Sequence, residues 1–347
     1  MKIAFTSCMS TASYATSQPV WATVAEQTPD VLVLLGDSVY IDCPPQADGF
    51  GHPHPSDDAY NDNDFATHLH GLYQRQLNVP EFKALIAGEH LQTYAIWDDH
   101  DFLWNDADSR NARSPQHMGQ AIISGNLLGC WRTALKLHGQ GFPAATNDAA
   151  IWRNYAGYFE KGRYDNAMPG YSHVQLAEAI HLHLTDGRSW RNRDQLLGQA
   201  QRTQIEAQLS AFPDAVHIIA SGSTFRRTGR SGWLDCAVDR DWLLSLASQY
   251  RILMISGDVH RNEFLQPMAC GPNNRLFYEV TASGAAVNFN PFHWDAADPG
   301  NSGLNYSQKF GLLDFHDDQV EVTLFDHGKT NSELEKKPYR QISISTW

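Results

Sequence analysis

Val31-Leu32-Val33-Leu34-Leu35-Gly36-Asp37-Ser38-Val39-Tyr40 is a five-residue apolar run that breaks into a glycine, a carboxylate and, three residues on, a phenol. A short Val- and Leu-rich run closed by glycine predicts a buried strand with polar side chains at its end. The pattern recurs along the chain. Trp97-Asp98-Asp99-His100-Asp101 follows the apolar 94–96, Ser256-Gly257-Asp258-Val259-His260 follows 252–255, and Ser7-Cys8 follows 3–5. Strands of a layered sheet bring their ends together however far apart they lie in sequence. Pooled, these ends hold a thiol, several carboxylates, a phenol and two imidazoles, the ligand types of a two-metal hydrolytic centre.

Working outward, Lys2–Thr6 reads as a first buried strand, and Ser17 before Pro19 as the start of a helix ending near Gln27. With 31–35 this makes a β-α-β opening. The stretch 44–62 is rich in Pro, Gly, Asp, Asn and His and reads as a long loop of functional importance. Helices are expected over 64–77 and Pro80–Ile86, and a third strand over 91–96. The stretch 114–162 is mostly helical, with an imperfect stripe of Ile122, Leu127, Leu128, Trp131, Leu135 and Leu137. It is expected to cap the site. A hairpin is expected from 171–176 and 180–185, then a surface helix over 198–210. Strands over 216–220, 252–255, 276–281, 312–315 and 320–325 and a helix over 239–249 complete the pattern. No repeat and no boundary stands out, so 1–347 is read as one domain with 114–162 as a helical cap insertion. The fold class is α/β, two packed sheets with helices outside.

Bulk properties narrow the partners. The chain has 347 residues and a formal charge of −13, which disfavours stable nucleic-acid or anionic-membrane binding. Arg226, Arg227 and Arg230 form a small basic cluster, read as a solvated loop. Five cysteines, Cys8, Cys43, Cys130, Cys236 and Cys270, include no CxxC pair and argue against a disulfide framework or a thiolate zinc finger. No apolar run reaches the roughly 18 residues of a membrane span. The first residues lack the apolar stretch of an export signal, so the chain as given reads as cytoplasmic, or as periplasmic or secreted if a leader has been removed.

The clusters carry the chemistry. Asp37, at a glycine-preceded strand end, is the candidate bridging carboxylate. Three carboxylates around His100 repel one another unless a cation offsets them. Either Asp98 or Asp99 can ligate, with His100 on the opposite side of the segment as donor or general acid. The i, i+2 spacing of Asp258 and His260 puts both on one face. His181 and His183 share that spacing inside an alternating strand and read as strand-face residues, with His183 a spare ligand. Arg188, after 180–185, suits a phosphate or sulfate oxygen as a bidentate fork. Cys8 is a structural cysteine taken alone and a thiolate ligand in this company.

Phe5-Thr6-Ser7-Cys8, Gly36-Asp37-Ser38-Val39-Tyr40, Trp97-Asp98-Asp99-His100-Asp101, Asp186 with Arg188 and Arg191, and Ser256-Gly257-Asp258-Val259-His260 occur in an order that resembles PhoD-type alkaline phosphatases and phosphodiesterases of the metallophosphoesterase superfamily. The resemblance spans about 3–326. It implies a four-layer α/β/β/α sandwich and hydrolysis of phosphate mono- or diesters by a metal-bound hydroxide at a dinuclear centre. It also implies iron(III) with calcium, zinc or manganese being the alternatives. On this reading Cys8, Asp37 and Tyr40 hold the iron side, and Asp98, Asp99, Asp258 and His260 supply the remaining ligands. His100 and Arg188 contact substrate. Two departures stand out: no acid follows Tyr40 directly, Asp42 lying one residue further on, and Asp101 stands where Glu is frequent. Another ester at the same metals (a sulfate, phosphonate or lactone) and a noncatalytic metal-binding protein are the alternatives. Oligomeric state is left open.

Overall fold

The computed structural model describes residues 1–11, 17–42, 54–155, 171–226, 232–287, 308–327, 334–344 and 347. Period-2 burial explains how its layers form. In β1 (Lys2–Thr6), Ile3 and Phe5 face one way and Ala4 the other; in β2 (Val31–Leu35), Val31, Val33 and Leu35 oppose Leu32 and Leu34. Both faces are apolar, so both must be covered. The first face meets a second sheet and the other meets helices.

The first sheet runs β13-β12-β11-β1-β2-β3, with β3 at Gln92–Ile96, β11 at Gln308–His316, β12 at Gln319–His327 and β13 at Leu334–Ser343. Pairing is parallel within β1, β2 and β3, and antiparallel outward from β11. The second sheet runs β4-β5-β6-β7-β10-β8, with β9 also on β10. Its strands are β4 (Ser172–Ala177), β5 (Ile180–Leu184), β6 (Val216–Ser221), β7 (Arg251–Ser256), β8 (Asn262–Phe264), β9 (Met268–Cys270) and β10 (Arg275–Ala282). β5, β6, β7 and β10 are parallel neighbours. Leu182, Ile218, Leu253 and Val280 close the layer between the sheets against Phe5, Val33 and Ile96.

Helices α1 (Val20–Glu26), α2 (Asp62–Leu77), α3 (Pro80–Ile86), α5 (Pro115–Lys136) and α6 (Ala149–Asn154) cover the outside of the first sheet. The short α4 (Asp99–Phe102) follows β3. Helices α7 (Gln199–Ala211) and α8 (Ala237–Ala247) cover the second. The result is the expected four-layer α/β/β/α sandwich. No helix among the described residues is long and apolar enough to cross a membrane. The four described cysteines, Cys8, Cys130, Cys236 and Cys270, are free.

Two local expectations are corrected. Ser17 does not cap α1: its hydroxyl donates to Glu81 at 3.0 Å, and the helix begins after Pro19. Helix α2 starts at Asp62 because the Asn61 side chain accepts the Asn63 and Asp64 amides. The described part of 114–162 packs in the outer layer on the first sheet. Helix α5 buries Ile123, Leu127 and Trp131 in the outer layer, with Trp131 stacked on Phe82 at 5.8 Å between ring centroids. Its apolar stripe has a whole sheet face to cover. Residues 156–162, like Cys43, Arg227, Arg230 and most of the 44–62 loop, lie outside the described residues.

Candidate metal centre

Every cluster singled out above stands at the carboxyl end of a parallel strand, where both sheets deliver their chains to one rim. The ends are tied together. The Cys8 amide donates to the Gly36 carbonyl at 3.2 Å, and the Gly257 amide to the Gly222 carbonyl at 3.1 Å. A Cβ on Gly36 would lie 2.6 Å from the Asp98 Cβ, so glycine here lets the β2 end rest against the β3 end. Cys8, Asp37, Asp258 and His260 all take positive φ, at 63°, 48°, 73° and 52°. Strain of this kind concentrates where side-chain direction matters more than backbone comfort.

Asp37 stands at the centre. Its Oδ2 lies 3.4 Å from the Cys8 Sγ and 3.4 Å from the Tyr40 hydroxyl, and its Oδ1 accepts the His100 amide at 3.3 Å. Among the described residues, two groups of side chains hold donor atoms within 4.8 Å of one another: Asp37, Asp99 and His100, and Asp37, Asp98, Asp99 and Asp258. Asp37 and Asp99 belong to both. His260 joins through Tyr40, whose hydroxyl is 3.1 Å from the His260 Nε2. The seven expected ligands, Cys8, Asp37, Tyr40, Asp98, Asp99, Asp258 and His260, therefore lie close together, with both Asp98 and Asp99 in the larger group.

The electrostatics are those of a site short of positive charge. Burial, then the neighbouring Cys8 and Asp99, pushes the Asp37 carboxyl well above the usual range. Burial likewise raises Asp98 against the opposing pull of Arg188. For Asp99, burial is outweighed by Arg188 and His100, which hold it low. Asp98 Oδ2 and Asp99 Oδ1 are buried without a hydrogen-bond partner. Carboxylate oxygens without a hydrogen bond at this depth are costly; Asp99 Oδ1 has Arg188 Nη2 3.5 Å away, and a bound cation would satisfy Asp98 Oδ2. Hard oxygen donors beside a thiol, a phenol and an imidazole are a donor set that fits cation binding.

Arg188 lies against the 98–99 carboxylates. It is 0 % exposed, and its Nε lies 2.5 Å from Asp98 Oδ1 and its Nη2 3.5 Å from Asp99 Oδ1. The guanidinium thus pairs with two of the expected ligands, and its Nη2 makes no hydrogen bond of its own. Asp186 anchors this turn by accepting from Trp97 Nε1 at 2.8 Å and from the Arg188 and Ser189 amides at 3.0 Å.

His100 gains a partner that sequence reasoning noted without a role. Its Nδ1 lies 2.5 Å from Asp42 Oδ1, and Asp42 also accepts the Asn105 amide at 2.8 Å. Burial alone would lower His100, but Asp42, Asp37 and Asp99 raise it well above the ordinary histidine value. Asp101 is a support. It accepts the Val39 and Asp98 amides and the Tyr73 hydroxyl at 3.2, 3.0 and 3.3 Å. Only the offset of Asp42 from Tyr40 hinted at the first arrangement, and nothing in the sequence hinted at the second. Of the basic cluster, Arg226 is described. Burial lowers it, with Glu279 opposing, so it is not a freely solvated side chain.

No protein-family profile matches the chain, and no curated protein matches it. Among solved structures, the chain is similar to that of PhoD, with a TM-score of 0.63 and 13% identity, covering 99% of this chain and 72% of that one. A Vps29 double mutant from Entamoeba histolytica (TM-score 0.33, 8% identity, 98% and 100% covered) and TT1561 of Thermus thermophilus (0.37, 10%, 98% and 99%) are too distant to bear on the site. The fold is thus of the PhoD type, as the motif order implied.

Proposed function

We propose that the chain is a metal-dependent phosphoester hydrolase acting on a phosphorylated small molecule or a phosphodiester. The observation that carries this reading is the group Asp37, Asp98, Asp99 and Asp258, with a buried Asp98 oxygen that has no hydrogen-bond partner. Cys8, Asp37, Tyr40 and His260 would hold one cation. Asp37, Asp98, Asp99 and Asp258 would hold the second, Asp37 being shared. The thiolate and phenolate suit iron(III) and the carboxylates calcium, with zinc or manganese as alternatives. When bound, such cations supply an acidified water as nucleophile and offset charge on the phosphoryl oxygens.

The chain's own residues do the rest. Asp42 accepts the His100 Nδ1 proton, which directs Nε2 outward to hydrogen-bond a phosphoryl oxygen or protonate the leaving oxygen. Arg188 helps hold Asp99 ionised, opposes the effect of burial on Asp98, and aligns both. The test compares an aryl phosphodiester, an aryl phosphate and an aryl sulfate before and after chelation. Chelation should abolish phosphoester turnover, and returning the cation should restore it. Turnover of the sulfate alone would move the assignment to another ester, and turnover indifferent to chelation would end it.

A further inference from the structure

We propose that Ser7 and Ser283 are positioning residues that set the electron-donating strength of the Cys8 sulfur. The inference rests on the metal-centre reading above and concerns residues outside the ligand set.

Both serines are 0 % exposed. The Ser7 oxygen accepts the Asp258 amide at 3.2 Å, and its hydroxyl lies 2.9 Å from the Ser283 oxygen and 3.1 Å from the Cys8 sulfur. The Ser283 oxygen accepts the His260 amide at 2.9 Å. With its oxygen engaged by amide and hydroxyl, Ser283 has its own proton left, and that proton points to the Cys8 sulfur at 3.3 Å. The network thus starts on the amides of two ligand residues and ends on the sulfur of a third. It joins the ends of β1, β7 and β10. The backbone reinforces it: the Gly284 and Ala285 amides donate to the Ser7 carbonyl at 3.1 and 2.9 Å. A Cβ on Gly257 would fall 2.6 Å from the Ser7 hydroxyl, so the site keeps room for that oxygen.

A buried sulfur that ligates a cation keeps excess electron density, and hydroxyl donors draw it off. Hydrogen bonds to cysteine sulfur are a general means of tuning a metal–thiolate bond.

Cobalt(II) alone, titrated into the reduced full-length protein, tests this whatever the native metal. The wild type should show a sulfur-to-cobalt charge-transfer band that Cys8→Ala lacks. Ser283→Ala should move that band to lower energy at unchanged cobalt stoichiometry, with affinity weakened about 10- to 100-fold. Ser7→Ala should move it the same way by less, and Ser283→Thr should restore it. A wild-type band energy in both alanine variants would reduce the serines to a brace and overturn the inference. A wild type that takes up no cobalt, or a band surviving in Cys8→Ala, would instead overturn the metal-centre reading, and the inference with it. Ser7→Ala keeps the question answerable if Ser283→Ala does not fold.

Discussion

Asp37 is the residue on which the account turns, because both proposed cation positions share its carboxylate. Asp37→Asn keeps the shape and removes the charge, so metal content and turnover should fall together; elemental analysis beside an activity assay reads both. His100 and Asp42 act as a unit. His100→Ala should lower turnover by about 10²- to 10³-fold, as loss of a donor to developing charge does. It should hurt alkyl phosphates more than nitrophenyl esters, which need no leaving-group proton. Equal loss across leaving groups would remove the general-acid role. Asp42→Asn should show the same leaving-group bias at smaller size, since it disturbs the imidazole without removing it. Arg188→Ala should behave otherwise. It strips the charge partner from buried Asp98 and Asp99, so stability should fall by about 3–5 kcal/mol, read by denaturant unfolding. An Arg188→Ala protein of native stability with only a raised KM would return Arg188 to the substrate.

At the scale of elements, the outer face of the second sheet holds a second cluster away from the site. His173 on β4, His181 and His183 on β5 and His217 on β6 have neighbouring ring centroids 5.1–5.3 Å apart. The hydrogen bonds have one consistent direction. His217 Nε2 donates to the Phe212 carbonyl at 2.9 Å, so its Nδ1 accepts from His183 Nε2 at 3.0 Å, and His183 Nδ1 accepts the Tyr171 hydroxyl at 3.1 Å. Burial, then the other histidines, lowers His183 well below 6.5. Burial also lowers His217 to about 4. The unfolded chain therefore binds more protons than the native one below the ordinary histidine value. Stability from these groups is full above about pH 6.5 and is lost as the pH falls toward 4. His217→Asn should flatten that acid limb by roughly 5 °C in Tm near its foot, measured by thermal unfolding across pH. An unchanged limb would mean the cluster does not titrate on unfolding. Alternation in sequence placed His181 and His183 on a strand face, but pairing with His173 and His217 depends on register, which alternation does not fix.

For the whole molecule, the apolar runs were legible because strands covered on both faces read as unbroken Val, Leu and Ile. The polar clusters were legible because they interrupt those runs at once. Three things were not. The 115–136 stripe announced a helix but not which surface it covers. Arg188 announced a buried charge or a substrate fork equally well, and its pairing with Asp98 and Asp99 is a tertiary contact that spacing does not reveal. β13 was missed: the last strand expected from sequence is 320–325, and the polar stretch 334–343 contains Pro338, yet it pairs at the sheet edge with β12, the register shifting between Val322 and Thr323. The central claim is that strand ends from both sheets build one centre for two cations around a shared Asp37. The most direct measurement is the metal content per chain after loading and desalting. The account predicts about two ions per wild-type chain and a loss at both positions in Asp37→Asn. A wild type that stays empty after loading, or an Asp37→Asn protein that keeps the full complement, would contradict it.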